Sequence, residues 1–145
     1  MYLKSANIFF VIPARRDSKG FPFKNRKLLD YTINEIPIEL HEKTIVTTND
    51  EKIIKKLSST SINVLKRDEK LCLDDVNIRN VMMDVADKFD MNPNDTIVML
   101  YLTSPDRKFS DIKKILGYYD ERKIRTLTCC VEPKTHPYLC LYKKE

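Results

Sequence analysis

The strongest constraint on this chain is the alternation of short, unbroken apolar runs with amphipathic segments. Asn7–Ile12 (NIFFVI), Thr44–Thr48 (TIVTT), Ile62–Leu65 and Thr96–Leu102 (TIVMLYL) carry the β-branched and aromatic residues that favour strands. Thr126–Val131 (TLTCCV) reads as a fifth strand and Leu139–Tyr142 as a sixth. Between them, Leu28–Ile36 reads as a helix stopped by Pro37. Asp50–Ser59 places Ile53, Ile54 and Leu57 at helical spacing, with Asn49 or Asp50 as cap. Asp75–Phe89 repeats apolar residues along one stripe from Ile78 to Phe89, and Ser110–Glu121 does so behind Ser110 as cap.

Strands that are apolar throughout, rather than at every second residue, are buried on both faces. The pattern predicts an α/β fold, a doubly wound, mainly parallel sheet with helices on both faces. Such folds bind ligands at the carboxyl ends of their strands, near the point where strand order reverses. That expectation singles out three loops: Pro13–Asn25, Thr48–Asp50 and Thr103–Arg107.

A chain of 145 residues is the size of one ordinary domain. No apolar stretch approaches the roughly 20 residues of a membrane span. Ile8–Ile12 is too short for a signal-peptide core and leads into a basic loop, so a cytoplasmic chain without a membrane partner is expected. The four cysteines (72, 129, 130 and 140) form no C-x-x-C pair and read as reduced thiols.

The net charge of +5 is unevenly placed. Residues 1–27 hold seven Lys/Arg against the single acid Asp17, and the remainder is close to neutral. A basic focus on a neutral body suits a small polyanion such as a nucleoside triphosphate. A nucleic-acid binder more often carries a basic stripe across the domain, so nucleic acid is not expected as a partner.

The focus lies in Pro13–Asn25 (PARRDSKGFPFKN), which holds Arg15, Arg16, Lys19, Lys24 and the Ser18 hydroxyl. Gly20 is one of only two glycines in the chain and allows close backbone approach to phosphate. The loop is neither a Walker A sequence nor G-x-G-x-x-G. A solvated basic loop without ligand is the plainer alternative. Asp74 and Asp75 read as helix-capping acids more readily than as metal ligands, and His41 reads as part of a surface connection.

The run Ile12–Asn25 closely resembles the N-terminal signature of the acylneuraminate cytidylyltransferase (CMP-sialic acid synthetase) family. The resemblance continues, in the family's order, through Lys27–Ile33, Ile45–Glu51, Leu65–Leu71 with Asp74-Asp75, Leu100–Arg107 with its Thr-Ser-Pro-x-Arg motif, and His136-Pro-Tyr138. Where that family has Gln-Pro before Thr-Ser-Pro, this chain has Tyr101-Leu102.

The resemblance implies transfer of CMP from CTP to a sialic-acid-like 2-keto sugar acid, with release of pyrophosphate, for surface glycan or capsule synthesis. It implies Mg²⁺, with ligands not located in this chain, and a homodimer. It assigns Arg15, Lys19 and Lys24, with Ser18, to the triphosphate. Gly20, Asn25, Arg67 and Asp74 fall around CTP, with Arg67 near the base. Tyr101, Thr103, Ser104, Arg107 and His136 fall on the sugar-acid side. It further implies one nucleotide-binding domain over residues 1–145, without the family's C-terminal dimerisation and metal-binding segment. A truncated, non-catalytic nucleotide-binding or interaction domain is the competing expectation.

Overall fold

A computed structural model describes residues 7–18, 21–122 and 124–130. In chain order it contains β1 (Ile8–Pro13), α1 (Lys24–Glu35), β2 (Thr44–Thr48), α2 (Glu51–Leu57), β3 (Asn63–Lys66), α3 (Ile78–Lys88), β4 (Thr96–Met99) and α4 (Phe109–Arg122). The strands form one sheet in the order β3-β2-β1-β4, with every pairing parallel. Strand order therefore reverses between β1 and β4.

The alternation of side chains along β1 and β2 divides the core in two. Phe10, Ile12 and Val46 point to one face, where they join Leu29 of α1, Ile53 and Leu57 of α2, and Ile112 and Leu116 of α4. Val11 and Ile45 point to the other, against Val85 of α3. Helices thus cover both faces, as the apolar strands predict. Each fully buried aliphatic side chain contributes about 1.5–3 kcal/mol, and Ile12, Leu29, Ile45, Ile53 and Val85 are all in that class.

Several boundaries differ from the sequence reading, each for a local reason. Helix α1 begins at Lys24, so Lys24 and Asn25 belong to its first turn rather than to the preceding loop. Its cap residue is Phe23, in a left-handed conformation and without a side-chain capping bond, so the usual polar signal is missing. Helix α2, by contrast, starts as expected: of the two caps offered by the sequence it uses Asp50, which accepts from the Lys52 N–H at 3.0 Å. Asn77, not Asp74 or Asp75, caps α3 through the Arg79 N–H.

Ser110 lies inside α4. The helix start is served instead by Glu35 of α1, which pairs with Lys108 at 2.6 Å and accepts from the Phe109 N–H. The Lys108 hydrogen bond is the main reason the Glu35 carboxyl lies below its ordinary value. Strand β4 stops at Met99, since its ladder to β1 runs only from Thr96 to Met99. Residues 126–130 are exposed and outside any strand, so the fifth strand read from their β-branched run is not formed there. The sixth, Leu139–Tyr142, lies outside the described residues.

Candidate functional site

Three loops at the carboxyl ends of β1, β2 and β3 meet around a cleft of about 430 Å³. The loop after β1 contributes Arg15, Asp17 and Ser18, then Pro22 and Phe23 at the head of α1. The loop after β2 contributes Asn49, and the segment after β3 contributes Glu69, Cys72, Leu73 and Asp74. Helix geometry explains the last group: a short 3₁₀ turn, Glu69–Cys72, is capped by Asp68 accepting from the Lys70 N–H and presents its far end to the cleft.

The loop bases are bound tightly to the sheet. Ala14 N–H donates to the Thr47 carbonyl at 2.9 Å. The Thr48 hydroxyl donates to the Ala14 carbonyl at 2.5 Å and accepts from the Asp50 N–H at 3.0 Å. Asn49 then joins all three loops. Its Oδ1 accepts from the Arg16 N–H at 2.8 Å, and its Nδ2 donates to Glu69 Oε2 at 2.9 Å. Asn49 is buried. Asn49→Ala removes both bonds and strands their partners, so a loss of about 1–2 kcal/mol is expected, read as a lower thermal midpoint.

Arg15 closes one side of the cleft. Its guanidinium donates to the Cys72 carbonyl at 3.0 Å and to Asp74 Oδ1 at 2.7 Å. Asn25, buried in the first turn of α1, donates to the Arg15 carbonyl at 2.7 Å and so fixes the backbone that carries it. Arg16 pairs with Asp17 at 3.2 Å. Arg26 pairs with Asp50 at 2.5 Å, and the Asp50 side chain is 1% exposed. Burial opposes ionisation of Asp50, but Arg26 and the N–H groups of Lys52 and Ile53 outweigh it and hold the carboxyl below the ordinary value.

Arg67 lies beneath the cleft rather than on its wall. It is 5% exposed. Its Nε donates to Thr47 Oγ1 at 3.1 Å and its Nη2 to the Thr47 carbonyl at 2.8 Å. Burial is the chief influence and pulls its pKa below the ordinary arginine value, while Cys72 and Asp84 pull the other way. An arginine so lowered still carries its charge at neutral pH. Burial likewise pushes the Cys72 thiol up, with Glu69 adding to it, against the three nearby arginines.

Of the residues singled out from sequence, Arg15, Ser18 and Asp74 line this cleft. Asn25 braces it from behind, Arg67 underlies it, and half-buried Lys24 opens α1 beside it without being among the described lining residues. Strand β4 flanks β1 on the side away from β2 and β3, and the described cleft lies on the β2–β3 side rather than at the β1/β4 reversal where a ligand is expected. Thr103, Ser104 and exposed Tyr101, from the loop after β4, do not line the described cleft. Arg107 there folds back, donating to the Tyr101 carbonyl at 2.9 Å, and burial lowers its pKa. Lys19, Gly20 and His136 lie outside the described residues. Phe23 and Asn49 lie in loops that the sequence places at the site, and Glu69 in the Leu65–Leu71 segment, though none of the three was assigned a role there; Cys72 and Leu73 were missed as cleft residues. Asn49 carried a signal in retrospect, since it directly follows a predicted strand and sits beside the α2 cap, Asp50.

Mg²⁺ is commonly held by one or two carboxylates together with phosphate oxygens. Among the described residues no three His, Cys, Asp or Glu side chains converge. Asp17 and Asp74 line the cleft, but each already meets an arginine. The described donors therefore do not form a metal cage. Nor is any described helix long and apolar enough to cross a membrane.

The sequence matches the cytidylyltransferase family over residues 9–137, from the second residue of β1 to beyond α4. The chain belongs to the cytidylyltransferase family. The loop after β1 that carries Arg15 and Ser18 lies well inside the match. This cytidylyltransferase-family chain is also 29% identical over 139 residues to N-acylneuraminate cytidylyltransferases of Streptococcus agalactiae, from serotype V and serotype III strains. Those alignments cover 89% of this chain and 33% of each relative, so it spans about a third of their length.

Proposed function

We propose that this chain serves transfer of CMP from CTP to a 2-keto sugar acid of the N-acylneuraminate type. One observation carries the reading: in a cytidylyltransferase-family chain, Arg15 and Ser18 stand in the wall of a cleft at the carboxyl ends of three parallel strands. The name shared by the Streptococcus relatives supports the acceptor class.

In the proposed reaction the acceptor's anomeric hydroxyl attacks the α-phosphorus of CTP in line. A new oxygen–phosphorus bond forms as the hydroxyl gives up its proton to water, the bond from the α-phosphorus to the bridging oxygen breaks, and pyrophosphate leaves with the electron pair. Little covalent work falls to the protein in such a step, so positioning and charge stabilisation dominate. Arg15 offers a forked donor whose orientation is already set by Cys72 and Asp74. Lys24, at the first position of α1, adds charge where the helix N-terminus also favours an anion. Mg²⁺ is assigned no protein ligand and no step.

Titration of the chain with CTP, UTP and ATP, with and without Mg²⁺, is expected to show preference for CTP. Release of pyrophosphate on adding N-acylneuraminate then tests turnover. Equal or absent binding of the three nucleotides overturns the reading, while CTP binding without turnover favours the non-catalytic module. Lys24→Ala removes one charged contact commonly worth about 1.5–3 kcal/mol, so CTP affinity should fall at least about tenfold with little change in melting.

A further inference from the structure

We propose that Phe23 is the platform on which the nucleobase of the bound nucleotide stacks. This rests on the nucleotide-binding reading above and extends it to a residue that reading does not use. Phe23 lines the cleft, yet its side chain is left 46% exposed. Burying that ring in the core would be the ordinary use of a phenylalanine.

The ring's position is instead held from behind. The Arg26 guanidinium lies 4.2 Å from its centroid, a cation–π contact that occupies one face. Arg26 is in turn anchored to Asp50, the buried cap of α2. A chain of contacts thus runs from a fixed carboxylate, through a guanidinium, to an aromatic ring at the cleft. Across the same cleft, Leu73 is also an exposed apolar side chain. Pro22 adjoins Phe23 and Cys72 adjoins Leu73, while Arg15, Asp17, Ser18, Asn49, Glu69 and Asp74 make the rest of the lining polar, so Phe23 and Leu73 belong to the part suited to a flat ring rather than to phosphate.

The backbone sharpens the point. Phe23 has φ 54° and ψ 26°, a left-handed conformation that asparagine and glycine tolerate far better than a bulky side chain. A residue chosen for the turn alone would not be phenylalanine. Base–aromatic stacking is tolerant of base identity because every base has a π-face, so this contact supplies affinity rather than choice of cytosine.

The test compares Phe23→Asn and Phe23→Tyr with the unaltered chain, by calorimetric titration of CTP, inorganic tripolyphosphate and N-acylneuraminate. Phe23→Asn should relieve the turn, so its melting temperature should not fall. Its CTP affinity should drop by about tenfold or more, within the range of a lost stacking contact, while tripolyphosphate affinity stays unchanged. Phe23→Tyr should retain CTP affinity. Unchanged CTP affinity in Phe23→Asn, an equal loss for tripolyphosphate, or a loss confined to N-acylneuraminate would each overturn the platform while leaving nucleotide binding in place. Failure of the unaltered chain to bind CTP would overturn both proposals.

Discussion

Arg15→Ala should lower pyrophosphate release from CTP by about 10²–10³-fold, the effect typical of removing one preorganised donor from a site of developing charge. The donor is preorganised here because two acceptors, the Cys72 carbonyl and Asp74, already set its plane, and Asn25 holds its backbone. Arg15→Lys restores the charge but not the fork and should recover only part of the activity. The Arg15–Asp74 pair is partly exposed, with Arg15 29% accessible, and such pairs contribute about 0–1 kcal/mol. The melting temperature of Arg15→Ala should therefore shift by no more than about 5 °C. Steady-state pyrophosphate assays beside thermal melts separate the two effects. Turnover that survives the substitution would remove Arg15 from the reaction.

Asp50→Ala should have the largest effect on stability, about 3 kcal/mol, since it deletes a helix cap and leaves a partly buried guanidinium without its carboxylate. In a chain of this length that corresponds to a drop in thermal midpoint of about 10 °C. Asp50→Asn keeps an acceptor for the Lys52 N–H but not the charge facing Arg26, so it should fall between the two. The sign with pH follows from the depressed carboxyl. Its stabilisation is fully present above the ordinary aspartate value of about 3.9 and is lost as pH falls through the lower folded value. Melting temperatures measured from pH 6 down to pH 2 should show this component in the unaltered chain and not in Asp50→Asn. Parallel curves for the two would show that the pair does not contribute.

The parallel sheet was legible because Phe9–Ile12, Ile45–Val46 and Ile97–Met99 are apolar at consecutive positions, which only a strand covered on both sides requires. Thr126–Cys130 had the same propensity and no such outcome, because β-propensity rewards packing neighbours and those residues are exposed. The start of α1 was not legible. Its cap is a left-handed phenylalanine, and no pattern of polar residues marks it.

The basic loop was legible as charge but not as geometry. Counted along the chain, residues 1–27 face a single acid. Folding brings Asp74 to Arg15 and Asp50 to Arg26 from 59 and 24 residues away. Much of the apparent surplus is thus spent on building the loop rather than left open to a ligand. The opposite wall was hidden for a topological reason. Strand β3 lies two places from β1 in the order β3-β2-β1-β4, and the segment after it meets Arg15 only through contacts 57 and 59 residues apart in sequence, to the Cys72 carbonyl and to Asp74.

Arg67 gives the cleft a property that the more exposed Arg15 in its wall lacks. Dissolved ions screen charges they can approach, over about 8 Å at physiological ionic strength, and screen enclosed charges far less. The Arg67 guanidinium, sealed between Thr47 and the Cys72 turn, is beyond their reach. Rising salt should weaken the pull of the outer basic residues on an incoming anion and leave a residual attraction from below, so capture would slow before retention fails.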